Sequence, residues 1–162
     1  MITEFFIKSA SQTDPISQYV EIYNNSGVPR DLNGWFIETF SGTQPLSGNI
    51  NPYSYFLISK CFTNDCYFYN NRQSDLMAVL ILPVIEGSIN ILEGTHIKDQ
   101  VNYDLTDSGW TNGEDYVGRS LRLHDPSLDN SNSENWSLSP ITEKSLWLYE
   151  ENTEIKNFGS PR

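Results

Sequence analysis

The chain has 162 residues, with 21 acidic and 10 basic side chains and a formal net charge of −11. That balance repels a phosphate backbone, whose binding rests on lysine and arginine displacing counterions, so no nucleic acid is expected on a basic face. The basic residues stand singly, with Arg119 and Arg122 the nearest pair, which also excludes a polybasic membrane anchor.

One domain with a proper core is the expectation at this length, burying roughly 70% of the surface that the unfolded chain exposes. Tyrosine, phenylalanine and tryptophan are plentiful while alanine is scarce, and asparagine and serine abound. Such residues suit pleated, half-buried surfaces and the turns that join them. The strand-like pattern begins at Ile2 with no lead-in, and "MITEFFIKSA" has neither the basic start nor the apolar run of a signal peptide. That beginning suits a short natural protein and a domain cut from a longer parent equally well.

"YVEIYN" alternates, with Val20 and Ile22 on one face and Tyr19, Glu21 and Tyr23 on the other, which predicts a half-buried strand. Turn chemistry at Asn25, Gly27, Pro29, Asn33 and Gly34 separates it from a second strand, "WFIETF". "YSYFLISK", entered through Pro52, reads as a strand buried on both faces. Cys61 and Cys66 follow in "CFTNDC", with no second pair and no nearby histidine to complete a zinc site. A small disulfide loop and two free thiols both fit the spacing; the disulfide would favour an extracytoplasmic compartment. The apolar run "LMAVLILPVI" (Leu76 to Ile85) is too short to span a bilayer and contains Pro83.

"SINILEGTHIKDQVNY" predicts a hairpin turning at Glu93-Gly94, with Ile89 and Ile91 on one parity and Ile97, Val101 and Tyr103 on the matching parity of the return strand. Asp99 shares that parity. Either it points inward with hydrogen-bond partners, or a bulge throws the register there. "RSLRLHD" alternates again, with Leu121 and Leu123 inward and Arg122 and His124 outward. In "TEKSLWLYEEN" the apolar residues fit a strand or one short helical turn. Frequent short strands without a convincing amphipathic helix predict an all-β sandwich or barrel.

Three stretches in this order carry a family pattern: "YVEIYNNSGVPRDLNGW", "GSINILEGTHIKDQVNY" and "GRSLRLHDPSLDNSNSENWSLS", closed by "FGSPR". Together they resemble the lamin tail domain in its bacterial form. The resemblance implies an immunoglobulin-like β-sandwich over residues 1–162 as a single lamin-tail-like domain, from whose pattern this chain departs by a loop insertion at 61–86 and an extended C-terminal segment from Pro140 to Asn157. It further implies a non-catalytic protein-binding, adhesion or scaffolding module. Such domains in lamins contact chromatin and protein partners, and in bacteria they accompany secreted or surface proteins, so an extracytoplasmic setting is expected.

Function on a sandwich usually lives in loops held by a rigid scaffold, which makes the insertion the first choice for a partner surface. Tyr67, Phe68 and Tyr69 are its candidate anchors. The same aromatics offer a platform on which sugar rings stack, the alternative being a carbohydrate-binding module. A hydrolase is the remote alternative, because no nucleophile elbow, zinc-protease motif or phosphate loop is present. No cofactor is expected.

"HDPSLDNSNSENW" is the sharpest candidate for a metal. Asp125, Asp129, Asn130 and Asn132 supply oxygen, but the spacing fails the twelve-residue calcium loop and its glycine is missing. The structural reading has Asp125-Pro126 opening a turn and Asn130 and Asn132 accepting hydrogen bonds from their own loop backbone. Trp136 would pin that loop by burying its ring while its indole N–H finds an acceptor. Trp35, Asp125, Asp129, Asn130 and Trp136 are accordingly taken as structural residues.

Overall fold

The computed structural model describes residues 1–7, 18–60 and 73–140, together with the backbone of residues 146–148 and 155–157. These residues form an all-β structure built on two larger sheets. The six-stranded sheet runs in the order β12 (Trp136–Leu138), β11 (Leu121–Leu123), β1 (Ile2–Phe6), β2 (Tyr19–Tyr23), β7 (Tyr55–Ser59) and β8 (Leu76–Met77). The four-stranded sheet runs β10 (His96–Asp104), β9 (Glu86–Glu93), β4 (Trp35–Thr39) and β5 (Gly42–Pro45). Two short pairs complete it, β3 (Arg30–Asp31) with β6 (Asn49–Ile50), and β13 (Leu146–Leu148) with β14 (Ile155–Asn157). The stretch "TEKSLWLYEEN" thus contains a strand.

Alternation explains the core. Phe5, Val20, Ile22, Phe56, Ile58, Leu121, Leu123 and Trp136 point from the six-stranded sheet toward Ile37, Ile89, Ile91, Val101 and Tyr103 of the other, in one buried cluster. This stacking of two sheets over a shared apolar layer is the sandwich-like arrangement that period-two patterning specifies. A single helical turn, α1 (Ser108–Thr111), capped by the Asp107 side chain, inserts Trp110 into that layer.

β2 departs from its expected half-burial. Tyr19 and Glu21, on the side away from the core, are as buried as Val20. Glu4 lies on that same side, where its carboxylate takes hydrogen bonds from Tyr19 Oη at 2.6 Å and Arg122 Nε at 2.8 Å. Thr3 Oγ1 donates to Glu21 Oε1 at 3.2 Å. Alternation told apolar from polar here, but it could not tell exposed polar from buried and paired.

In the hairpin both alternatives for Asp99 hold together. The β9–β10 register shifts between Ile97 and Asp99, so a bulge sits at Lys98. Beyond it Asp99 faces inward, accepting from the Ile2 amide and from Asn130 Nδ2 at 3.0 and 3.1 Å. Before it Ile97 is thrown outward and is 54% exposed, against its predicted inward parity. The two-residue turn is Gly94-Thr95, one position later than expected. Gly94, at φ 60°, takes the leading position that a glycine-first hairpin turn requires.

Of the stretch 61–86, expected to be a loop insertion, residues 76–82 are built into the body of the protein. β8 pairs parallel with β7, and Ala78, Leu80 and Leu82 enter the core. Gln18 clamps the segment, its Nε2 donating to the Leu82 carbonyl at 2.7 Å while its Oε1 accepts from the Leu82 amide at 2.9 Å. At the far side Ser41 Oγ donates to the Val79 carbonyl at 2.9 Å. The run from Leu76 to Leu82 therefore bridges from the edge of one sheet to the β4–β5 end of the other.

Candidate functional groove

Residues 83–85 form one wall of an open groove of about 990 Å³. Their three consecutive carbonyls are each held from behind. Tyr103 Oη donates to the Pro83 oxygen at 2.8 Å, Tyr116 Oη to the Val84 oxygen at 2.6 Å, and the Leu105 amide to the Ile85 oxygen at 2.7 Å. With the backbone fixed this way, Val84 and Ile85 stay 45% and 56% exposed. Burial raises the Tyr103 phenol well above the ordinary tyrosine range, so this donor keeps its proton at any physiological pH. Phe40, at the β4–β5 turn, is 77% exposed and lines the opposite side.

The floor is the outer face of the four-stranded sheet, where Glu38 and Asn90 line the groove and Thr43 and Gln100 continue their cross-strand row beyond it. Their side chains join across the strands. Asn90 Nδ2 donates to Glu38 Oε2 at 2.8 Å, and Gln100 Nε2 donates to Asn90 Oδ1 at 2.8 Å. Thr43 Oγ1 reaches Glu38 Oε1 at 3.3 Å. Asn102 and Asp104 continue the lining, with Glu86 at the margin. The Asp104 carboxylate accepts from the Thr106 hydroxyl and amide, which lowers its pKa below the ordinary aspartate range and keeps it charged. Among the described residues, three carboxylates and no lysine or arginine line this groove.

The sequence does not announce this groove: Asp104 pairs with Asp99 only by proximity, and Tyr103 reads only as an inward strand residue. The signal was the run "LMAVLILPVI", which is continuous where a strand with one wet face would alternate. Its even-numbered leucines and Ala78 serve the core, which leaves Met77, Val79 and Ile81 apolar on the other side and exposed.

The residues singled out in advance are placed elsewhere. Tyr67, Phe68, Tyr69, Cys61 and Cys66 lie outside the described residues. Asp125 Oδ1 accepts from the Ser127 amide at 2.8 Å, Asp129 Oδ1 from the Ser131 amide at 2.9 Å, and Asn132 Oδ1 from the Glu134 amide at 3.1 Å, each two residues on. Asn130 differs from this pattern. It donates instead of accepting, its Nδ2 reaching the Ile2 carbonyl at 3.1 Å as well as Asp99, because its side chain turns into the sandwich rather than along the loop. Trp136 is 1% exposed, and its indole N–H donates to the Asn130 carbonyl at 3.0 Å. Trp35 is half-buried against the core, with the Arg30 guanidinium 5.8 Å from its ring centre.

Among the described residues, the histidines and the Asp99–Asp104 pair do not converge. His96 and His124 are both exposed. Asp99 and Asp104, a carboxylate pair by sequence proximity, have opposite parity beyond the bulge and point to opposite faces of β10. Among the described residues no group of three or more histidine, cysteine, aspartate or glutamate side chains is placed to hold a metal ion, and no helix is long and apolar enough to cross a membrane.

The described residues thus define an all-β protein with an acidic-floored groove on one sheet face, one wall of which is hydrogen-bonded from behind. Comparison with protein-family models, with curated protein sequences and with solved structures finds no match to this chain.

Proposed function

We propose that the chain is a non-catalytic protein-binding module, of the adhesion or scaffolding kind, working in an extracytoplasmic setting. The lamin-tail pattern and the immunoglobulin-like topology it implies belong to this proposal. The observation that carries it is the band of exposed apolar side chains, Met77, Val79, Ile81, Val84, Ile85 and Phe40, fixed on hydrogen-bonded backbone. Water-facing apolar side chains grouped in this way mark association surfaces, because covering them removes apolar area from water. Immobilised protein should therefore capture partners from cell-surface extracts that a Val79→Asp, Ile81→Asp, Ile85→Asp variant of unchanged circular dichroism and melting temperature loses. Equal capture by the two proteins would sink the proposal.

A carbohydrate-binding module is the second reading. It is favoured by the row of side-chain amides and a carboxylate on the groove floor, groups whose donors and acceptors match sugar hydroxyls. Binding on a broad glycan array, lost on Asn90→Ala, would select it.

A further inference from the structure

We propose that the groove receives an extended segment of a partner protein in which apolar and basic side chains alternate. The inference rests on the protein-binding reading and names the chemistry of the partner. Its walls are apolar, with Phe40 on one side and Pro83, Val84 and Ile85 on the other. Glu38, Glu86 and Asp104 supply the charge, and no cation among the described lining residues offsets it.

An extended chain sends successive side chains to opposite sides and repeats on each side every ~7 Å. Apolar residues on one side would pack between Phe40 and Val84, while lysine or arginine on the other would meet the acidic floor and margin. Asn102 lies where the incoming backbone would need a partner, whereas the Asn90 amide is already committed to Glu38, Gln100 and Ser88. The carbonyls of residues 83–85 already accept from Tyr103, Tyr116 and Leu105, so the incoming backbone finds fewer acceptors on this wall. Recognition therefore falls mainly to side chains, and because the wall is held before binding, little ordering cost is added on its side. A neutral glycan satisfies the floor amides but leaves the walls without apolar and the three carboxylates without basic complements, and a phosphorylated ligand is repelled by those carboxylates.

The test uses the whole chain and a blocked synthetic peptide of about eight residues alternating leucine and lysine, a length that spans ~25 Å when extended. Nuclear magnetic resonance shift mapping should place it at Phe40, Val84, Ile85, Glu86 and Asn102, and the fluorescence of Trp110 should change. Affinity should fall roughly tenfold or more in Phe40→Ser and in Glu86→Lys, and between about 50 and 300 mM salt. A leucine–glutamate peptide should not bind. Four results would overturn the proposal: shifts scattered over the acidic surface, unchanged affinity in Phe40→Ser, equal binding of the glutamate peptide, or a neutral oligosaccharide that moves the groove resonances while the lysine peptide does not. Should the peptide fail while capture of natural partners still depends on Val79, Ile81 and Ile85, the groove assignment falls and the protein-binding reading stands. Loss of both results removes both.

Discussion

Trp136 combines two kinds of hold in one side chain. Its ring packs 5.2 Å from Phe5 and 5.8 Å from Trp110, centre to centre, while its N–H closes the loop through the Asn130 carbonyl. Trp136→Ala should cost about 3–5 kcal/mol in urea unfolding, the range for emptying a large aromatic site. Trp136→Phe should recover part of that and still lose the hydrogen bond, about 1 kcal/mol or more because a buried carbonyl is left unpaired. Equal losses would show that the loop closure, and not the ring, is the larger hold. Asp129 next to it illustrates a pH effect with a defined sign. The Ser131 hydroxyl and, second, its amide stabilise the carboxylate and lower its pKa below the ordinary aspartate range. A depressed acid contributes stability above its unfolded value, and that stability is lost as pH falls through the folded one. Carboxyl resonances should show Asp129 titrating low, and Ser131→Ala should move it back upward; no movement would remove the hydroxyl as the cause.

Among the elements, strands were legible where alternation was clean, as in Val20 with Ile22 and Leu121 with Leu123, and where a short apolar run marked burial on both faces, as in Phe56, Leu57 and Ile58. What alternation missed was position relative to other elements. Period two assigns Tyr19 and Glu21 to a wet face and cannot register that this face is covered as well. Nor does it locate a bulge: one extra residue at Lys98 reversed the facing of Ile97 while leaving Val101 and Tyr103 inward. Gly87, at the start of β9, shows a requirement that no local pattern carries. A Cβ placed there would sit 2.5 Å from Tyr103 Oη, so the tyrosine that holds the Pro83 carbonyl needs the absence of a side chain opposite. Gly87→Ala should destabilise the protein by about 1–3 kcal/mol through overpacking. It should also speed hydrogen exchange of the Leu105 amide, which bonds Ile85. Protection left intact would mean the wall is held independently of Tyr103.

At the scale of the molecule, composition and charge pointed to an acidic all-β chain, and the described residues have that form. The groove was not legible, because it is assembled from three distant stretches, around residue 40, residues 83–90 and residues 102–110. No single one of them carries a spacing that announces a site. The stretch "LDNSNSENW", the most polar in the chain, instead spends its side-chain oxygens on its own amides and donates the Asn130 amide to the N-terminal strand. The three pinned carbonyls at 83–85 have one more consequence. The hydroxyls and amide that fix this backbone come from positions 103, 105 and 116, so what fixes the wall is separate in sequence from what it displays. Residues 84 and 85 are therefore free to diversify without reshaping their support, and the protein has the layout of a scaffold whose specificity can be rewritten at two positions.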